Sequence, residues 1–435
     1  MKTISFFQAG VVAAFVILAV VGLFTFATYT GSGGSASFGT VVIWGTFPGT
    51  RMQQALSAFG QIDERFKSVS YVEKRVESFT DEYVNAVAAG RGPDLVIISH
   101  EDVARLRNTF YQIPYDTIPQ RSYLDTFADG AAVYLGSAGA YGIPFAIDPL
   151  VLYYNRNILS SSGVAAAPVS WEAIAGLPPK VARISDQQNV TQALIALGTY
   201  ANVHNARGIL SALFIQAGIP MAFETSQGAV RASLTSGESA SGGAPAEAVI
   251  RFYTSFANPA QSTYTWNASE PDSRQAFVAG ELALYLGYAS ELPFIRAVNP
   301  NLSFDMAKFP QPVSAATRAT YGRIYAFAIP RATVNLSGAY AAAVALSATE
   351  AEGILATAAG AVAPARRDLL SQVPADPYGA IAYGEALISH GWLSPEPALT
   401  DGIFAAMIQG VISGTTQLSE AVAKAEQSLN AAYAP

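Results

Sequence analysis

"YGIPFAIDPLVLYYN" runs from Tyr141 to Asn155. Two short apolar runs flank one carboxylate, Asp148, and Pro149 follows it at once. Continuous apolar runs of this length read as strands covered on both faces. An unpaired acid between such strands is costly unless a partner or a ligand satisfies it. Pro149 fixes its own φ and biases Asp148 towards an extended backbone. The stretch therefore reads as two buried strands meeting at a stiff joint that carries an acid.

Upstream, "TVVIW" (residues 40–44) is a β-branched strand that ends in the turn "GTFPG". Met52, Ala55, Leu56 and Phe59 follow at the spacing of one helix face, and Thr50 with Gln53 fits a capping box. "YVEKRVE" predicts a second strand, and "FTDEYVNAVAAGRG" a helix that stops at glycine. "PDLVIIS" reads as a third strand, and a helix is expected from "HEDVARL". Alternating strands and helices predict a doubly wound, parallel α/β sheet. After Asn155 helices dominate. "ARGILSALFIQAG" and "APAEAVIRFYTSFANP" both show helical spacing, and "YGRIYAFAIP" is a late strand.

The chain has 435 residues, half of them hydrophobic, enough for two domains or one large one. A net charge of -7 argues against nucleic-acid binding, which needs a basic surface. There is no cysteine, so disulfides, thiolate metal sites and thiol nucleophiles are excluded. The three histidines, His100, His204 and His390, show no metal-ligand spacing. No cofactor or metal is expected.

Ala9 to Ala27 is apolar and uncharged. As a helix it would span roughly 28 Å, close to a bilayer core and longer than a secretory signal's apolar region. The expectation is an uncleaved single-pass anchor over residues 1–29, with Lys2 on the cytoplasmic side, the alternative being a signal cleaved at "SAS" (residues 35–37); either way the rest is exported. "TGSGGSASFG" (residues 30–39) reads as a flexible linker, with the folded part starting near Thr40.

The motifs "VVIWGTF", "AAGRGPDLVIISHED", "YGIPFAIDPLVLYYNRNIL", "RQAFVAGELALYLGYASEL", "PARRDLL" and "GWLSPEP" occur in this order. Together they resemble the extracellular solute-binding proteins of ABC importers, in the branch of maltose-binding and glycerol-phosphate-binding proteins. The resemblance covers nearly the whole exported part. It implies an α/β fold of the type II periplasmic-binding-protein kind, with two lobes around an interlobe cleft. The first lobe would comprise residues 40–147 plus 316–362, and the second residues 148–315 plus 363–435.

Sugars offer hydroxyls to charged groups and apolar ring faces to aromatic planes. A sugar cleft therefore needs a few acids and several aromatics. Trp44, at the end of the first strand, faces such a cleft or caps the core. The resemblance assigns Thr46 and its turn to the first ligand loop, and Glu101, in "SHED", to a sugar-binding acid. Glu101 is equally a carboxylate at a helix start, and His100 reads as structural. The resemblance places Asp148 at the lobe crossing. Its role there is to meet the solute, or to form a hinge salt bridge for which Arg366 is the candidate partner. It also implies that Gly287 lets the backbone approach the ligand and that Tyr288 stacks on it, where the family often has tryptophan. Trp266, in the polar "STYTWNASE", is a further aromatic candidate. Phe404 takes the position of another stacking aromatic, against helix core packing. Tyr325 is core or cleft by its alternation.

The implied protein is a membrane-tethered, extracytoplasmic, monomeric receptor that binds a carbohydrate-like solute and presents it to ABC permease subunits. It is not an enzyme. The alternatives are a sensory or surface receptor on the same fold, and a glycosidase using Glu101 and Asp148 as its carboxylate pair.

Overall fold

A computed structural model describes residues 37–187, 189–236, 244–360 and 362–433. The apolar segment Ala9–Ala27 lies outside the described residues. Among those described, no helix is long and apolar enough to cross a membrane. Packing begins before Thr40. Phe38 is buried, with the Phe66 ring 5.2 Å away and the Arg65 guanidinium above it.

One mixed sheet of eleven strands runs through the molecule. In chain order its strands are β1 (Val41–Gly45), β2 (Val69–Glu73), β3 (Leu95–Ser99), β4 (Ile143–Asn155), β5 (Arg183–Ile184) and β6 (Val190–Ile195). They continue with β7 (Leu282–Tyr288), β8 (Phe304–Ala307), β9 (Thr320–Ala328), β10 (Ala363–Pro364) and β11 (Ser389–His390). The expected parallel start is present, since β1 pairs in parallel with β2 and with β3. The late strand β9 then enters antiparallel between β3 and β4, which makes the sheet mixed.

The helix expected after β1 spans Gly49–Ile62, here α1, and buries Met52, Ala55, Leu56 and Phe59. The capping box at Thr50 is not formed, because the helix starts earlier, behind Pro48. The Glu73 carboxylate at the end of β2 instead accepts the Gly49 N–H at 2.8 Å. Gln53 is turned to the Tyr71 backbone. The helix expected at "HEDVARL" is one 3-10 turn, His100–Asp102, and one short helical turn, Val103–Leu106.

The decisive stretch is one strand and not two. β4 runs unbroken for 13 residues through Asp148 and Pro149. Proline is tolerated because its position is a handover between partners. β9 and β10 flank residues 143–149, whereas β7 and β8 flank residues 150–155. The missing N–H therefore costs little in the ladder.

Two hydrophobic cores divide at the same level. Ile143, Phe145, Ala146 and Ile147 belong to the first, and Leu150 to Tyr153 to the second. On β9, Tyr321 joins the second core and Ile324 the first. Arg323 pairs in register with Asp148, and Gly322 with Pro149, so both crossings lie side by side. The stretch after residue 362 contributes to both cores, with Ala363, Ala365 and Leu370 in the first and Trp392 and Phe404 in the second. The result is a two-lobed α/β fold with the sheet continuous across the waist.

Candidate functional site

The site is built where the end of β3 and the crossing strand β9 meet the second lobe. β3 ends at Ser99, whose hydroxyl accepts the Glu101 N–H and turns the chain sharply. That turn drives His100 and Glu101 inward, with 0% and 5% of their surfaces exposed. Arg323 arrives from the middle of β9. Arg207 arrives from the first turn of α2 (Ala206–Gln216), on the second lobe.

Glu101 collects all three neighbours. Tyr321 donates its hydroxyl to Oε1 at 2.6 Å, Arg207 Nη2 lies 3.2 Å from the same oxygen, and Arg323 Nε lies 3.4 Å from Oε2. Burial alone would raise the carboxyl pKa. The two guanidinium charges, with help from His100 and the Tyr321 hydroxyl, outweigh it and bring the value down to about 2. Glu101 is therefore ionised and saturated by protein donors. His100 is held neutral by burial, its pKa lowered to about 4. Its Nδ1 accepts the Ile324 N–H, and Nε2 lies 3.3 Å from the Tyr321 oxygen. This ties β3 to β9.

Asp401, in the first turns of α3 (Pro397–Ile412), continues the network. Its Oδ1 accepts the Tyr200 hydroxyl at 2.5 Å and lies 3.5 Å from Arg207 Nε. Oδ2 has no protein partner among the described residues, and 45% of the side chain is exposed. These groups open on a pocket of about 340 Å³, lined by Tyr200, His204, Arg207, Tyr288, Arg323 and Asp401 among others. Among the described residues no cluster of His, Asp and Glu could hold a metal ion.

A convergent, charged pocket at the waist of a two-lobed α/β fold is a place to hold a polar solute. The sequence profile of the bacterial extracellular solute-binding protein family matches residues 61–378. The chain belongs to this family. Its members are solute-binding proteins, not enzymes, and the family description places the binding domain outside the cell.

No curated protein sequence matches the chain. Several solved structures share its fold. The cyclic alpha-maltosyl-1,6-maltose binding protein of Arthrobacter globiformis is 14% identical with a TM-score of 0.72, and the alignment covers 91% of this chain and 98% of that one. The maltotriose-bound maltotriose binding protein of Thermus thermophilus is 16% identical with a TM-score of 0.64, covering 91% and 100%. An ABC transporter solute-binding protein of Thermotoga lettingae, bound with alpha-D-tagatose, is 19% identical with a TM-score of 0.63, covering 91% and 100%.

Within this solute-binding fold, the residues singled out from sequence fall in different places. Tyr288 lines the pocket, but it is 2% exposed and the Arg323 guanidinium sits 4.0 Å above its ring. Glu101 reaches the site through its arginines. Asp148 does not line the pocket. It is 2% exposed, and its carboxylate accepts the Ser290 N–H at 3.0 Å and the Ser290 hydroxyl at 2.6 Å. The hinge salt bridge to Arg366, the alternative reading of Asp148, is not formed, because Arg366 is drawn to Asp368 at 3.0 Å and to the Ser347 carbonyl.

Trp44 stands at the end of β1 with the Lys74 ammonium 3.8 Å over one ring face, and Thr46 is half-buried in the turn behind it. Trp266 is not in an open polar loop. Thr265 bonds the Leu194 N–H, and the Thr265 and Trp266 N–H groups both reach the Phe256 carbonyl, which pulls the indole into the second core. A Cβ on Gly287 would meet the Tyr285 ring at 2.6 Å, so the packing of neighbouring tyrosines accounts for this glycine. Phe404 is fully buried, parallel to Trp392 at 6.2 Å, which is the core-packing alternative. Tyr325 is half-buried with its ring 4.8 Å from Phe47.

Sequence reading missed Arg207, Arg323, Tyr200 and Asp401. A weak signal existed for two of them. Arg323 shares a strand face with Tyr325, and Asp401 lies about one helical turn before Phe404.

Proposed function

We propose that this chain is the membrane-tethered, extracytoplasmic receptor of an ABC importer and binds a carbohydrate-like solute between its two lobes. The observation that carries this reading is the pocket at the crossing, walled by the second lobe and β9 and linked to the first lobe through the Arg207–Glu101 pair. There Asp401 offers an unpartnered carboxylate oxygen beside two arginines and the Tyr200 ring. Charged donors and acceptors are what sugar hydroxyls select, and one aromatic face suits the C–H side of a ring. The maltotriose and tagatose found in fold neighbours support the solute class.

Glu101 and Arg207 belong to different lobes, so their ion pair makes and breaks as the lobes hinge about the crossings. Binding requires no covalent chemistry. The apolar stretch Ala9–Ala27 supports the tether, which would hold the receptor near a permease. Calorimetry of the purified full-length chain against mono- and oligosaccharides tests the solute class. Binding of at least one sugar is expected. Silence towards every sugar, with binding of a peptide, a polyamine or a phosphate ester, would overturn it.

A further inference from the structure

We infer that the solute is a single sugar ring, or two at most, and not an extended oligosaccharide, taking the carbohydrate reading above as its basis. An extended sugar needs a series of free aromatic faces, one for each ring it lays down. The aromatics singled out from sequence for such a series are engaged elsewhere. Trp266 and Phe404 are enclosed in the second core. Tyr325 lies against Phe47. One face of Trp44 is taken by the Lys74 ammonium, itself held by Glu82 at 3.0 Å, and Trp44 does not line the pocket. Tyr288 is covered by Arg323. Cations bind aromatic faces by the ring quadrupole, so these covers are attractive contacts a sugar must displace.

Tyr200 lines the pocket half-buried against the second core, and among the described residues no cation sits over its ring. Its hydroxyl is fixed by Asp401, which lines the same pocket and keeps Oδ2 without a protein partner among the described residues. One pocket-lining tyrosine and one adjacent carboxylate oxygen are a seat for one pyranose or furanose. The volume agrees, since about 340 Å³ is at the bottom of the range of roughly 300–1,000 Å³ for small-molecule pockets. The walls come from the second lobe and the crossing strand β9 alone. The Arg207–Glu101 pair stands between the pocket and the first lobe. The fold itself does not set the size, because its neighbours hold both tagatose and maltotriose.

The test is calorimetry on the full-length chain with glucose, galactose, mannose, fructose and tagatose, with maltose, and with maltotriose, maltotetraose and mannotriose. At least one mono- or disaccharide is expected to bind at least ten-fold more tightly than every tri- and tetrasaccharide. Asp401→Asn and Tyr200→Ala should each weaken that binding ten-fold or more, with melting curves confirming that the variants fold. A tri- or tetrasaccharide bound as tightly as the best small sugar overturns the size assignment and leaves the carbohydrate reading standing. Binding of no sugar at all removes both.

Discussion

Asp401 and Asp148 show how two acids of the same kind are put to different use. Asp401 keeps one oxygen free and is half exposed, so it can meet a solute. Asp401→Asn should lower solute affinity about 10- to 100-fold, the loss expected for a hydrogen bond to a charged group. The melting temperature should hardly move, and titration calorimetry with parallel thermal melts separates the two effects. Asp148 instead clasps Ser290 inside the waist, where burial pushes its pKa up to about 6, against the lowering effect of the Ser290 hydrogen bonds and Arg323.

The signs of the two buried acids are opposite. Glu101, lowered to about 2, gives stability that is present above its unfolded value of 4.5 and is lost as pH falls towards 2. Asp148, raised, binds its proton more readily when folded. It therefore costs stability above about pH 6, and that cost is relieved as pH falls towards its unfolded value of 3.8. Between pH 7.5 and pH 4 wild type should gain about 1–3 kcal/mol relative to Asp148→Asn. Solute affinity of that variant should stay within about three-fold, a change of less than 1 kcal/mol. Urea melts at the two pH values check the first expectation. A large loss of affinity would return Asp148 to the solute.

Strand β4, which carries one crossing, and the segment after β11 each depend on one unusual residue. Pro149 sits where β4 changes partners, so the missing N–H costs the ladder little. Pro149→Ala should accordingly destabilise by only about 0.4–1 kcal/mol, through a freer unfolded chain. Gly391 is different. A Cβ there would come within 2.6 Å of the His100 ring, which is pinned by the Ile324 N–H and cannot retreat. Gly391→Ala should destabilise by about 1–3 kcal/mol by overpacking. Denaturant midpoints of the two variants, measured together, should differ in that order.

The whole molecule is two cores joined by a narrow, highly charged waist. Across it Arg207 meets Glu101, and Arg105 meets Glu396 at 3.0 Å. Breaking the enclosed pair from one side leaves a buried charge poorly compensated. Arg207→Leu should thus destabilise by about 2–4 kcal/mol, less than a fully isolated ion because Arg323 and Tyr321 remain on Glu101. Arg105→Ala, at a more exposed pair, should cost at most about 1 kcal/mol. Thermal melts rank the two. At this scale the tether is also testable. Membrane fractionation with sequencing of the N-terminus should find the chain in the membrane and beginning before Ala9.

Local physics made much of the fold legible. The helix face of Met52, Ala55, Leu56 and Phe59 announces itself because burial repeats with the period of the helix, and the strands around Ile43 and Ile97 announce themselves as short apolar runs. The family motifs extended this to two lobes. The continuity of β4 through Pro149 was not legible, because it depends on where β7 and β9 exchange places beside it. Nor was the cap of α1, which comes from Glu73 on another element. The site was legible only in part. Glu101 and Tyr288 stood in recognisable motifs, but Arg207, Arg323, Tyr200 and Asp401 have no local pattern that marks them. They are gathered by the crossing of segments distant in sequence, and whether an aromatic such as Trp44 or Trp266 is free or covered is settled by its three-dimensional neighbours. The sequence alone determined most of the elements and the family, since both are written in short-range order. Only the tertiary structure decided which charges converge and which oxygen is left free, because those are properties of contacts between elements.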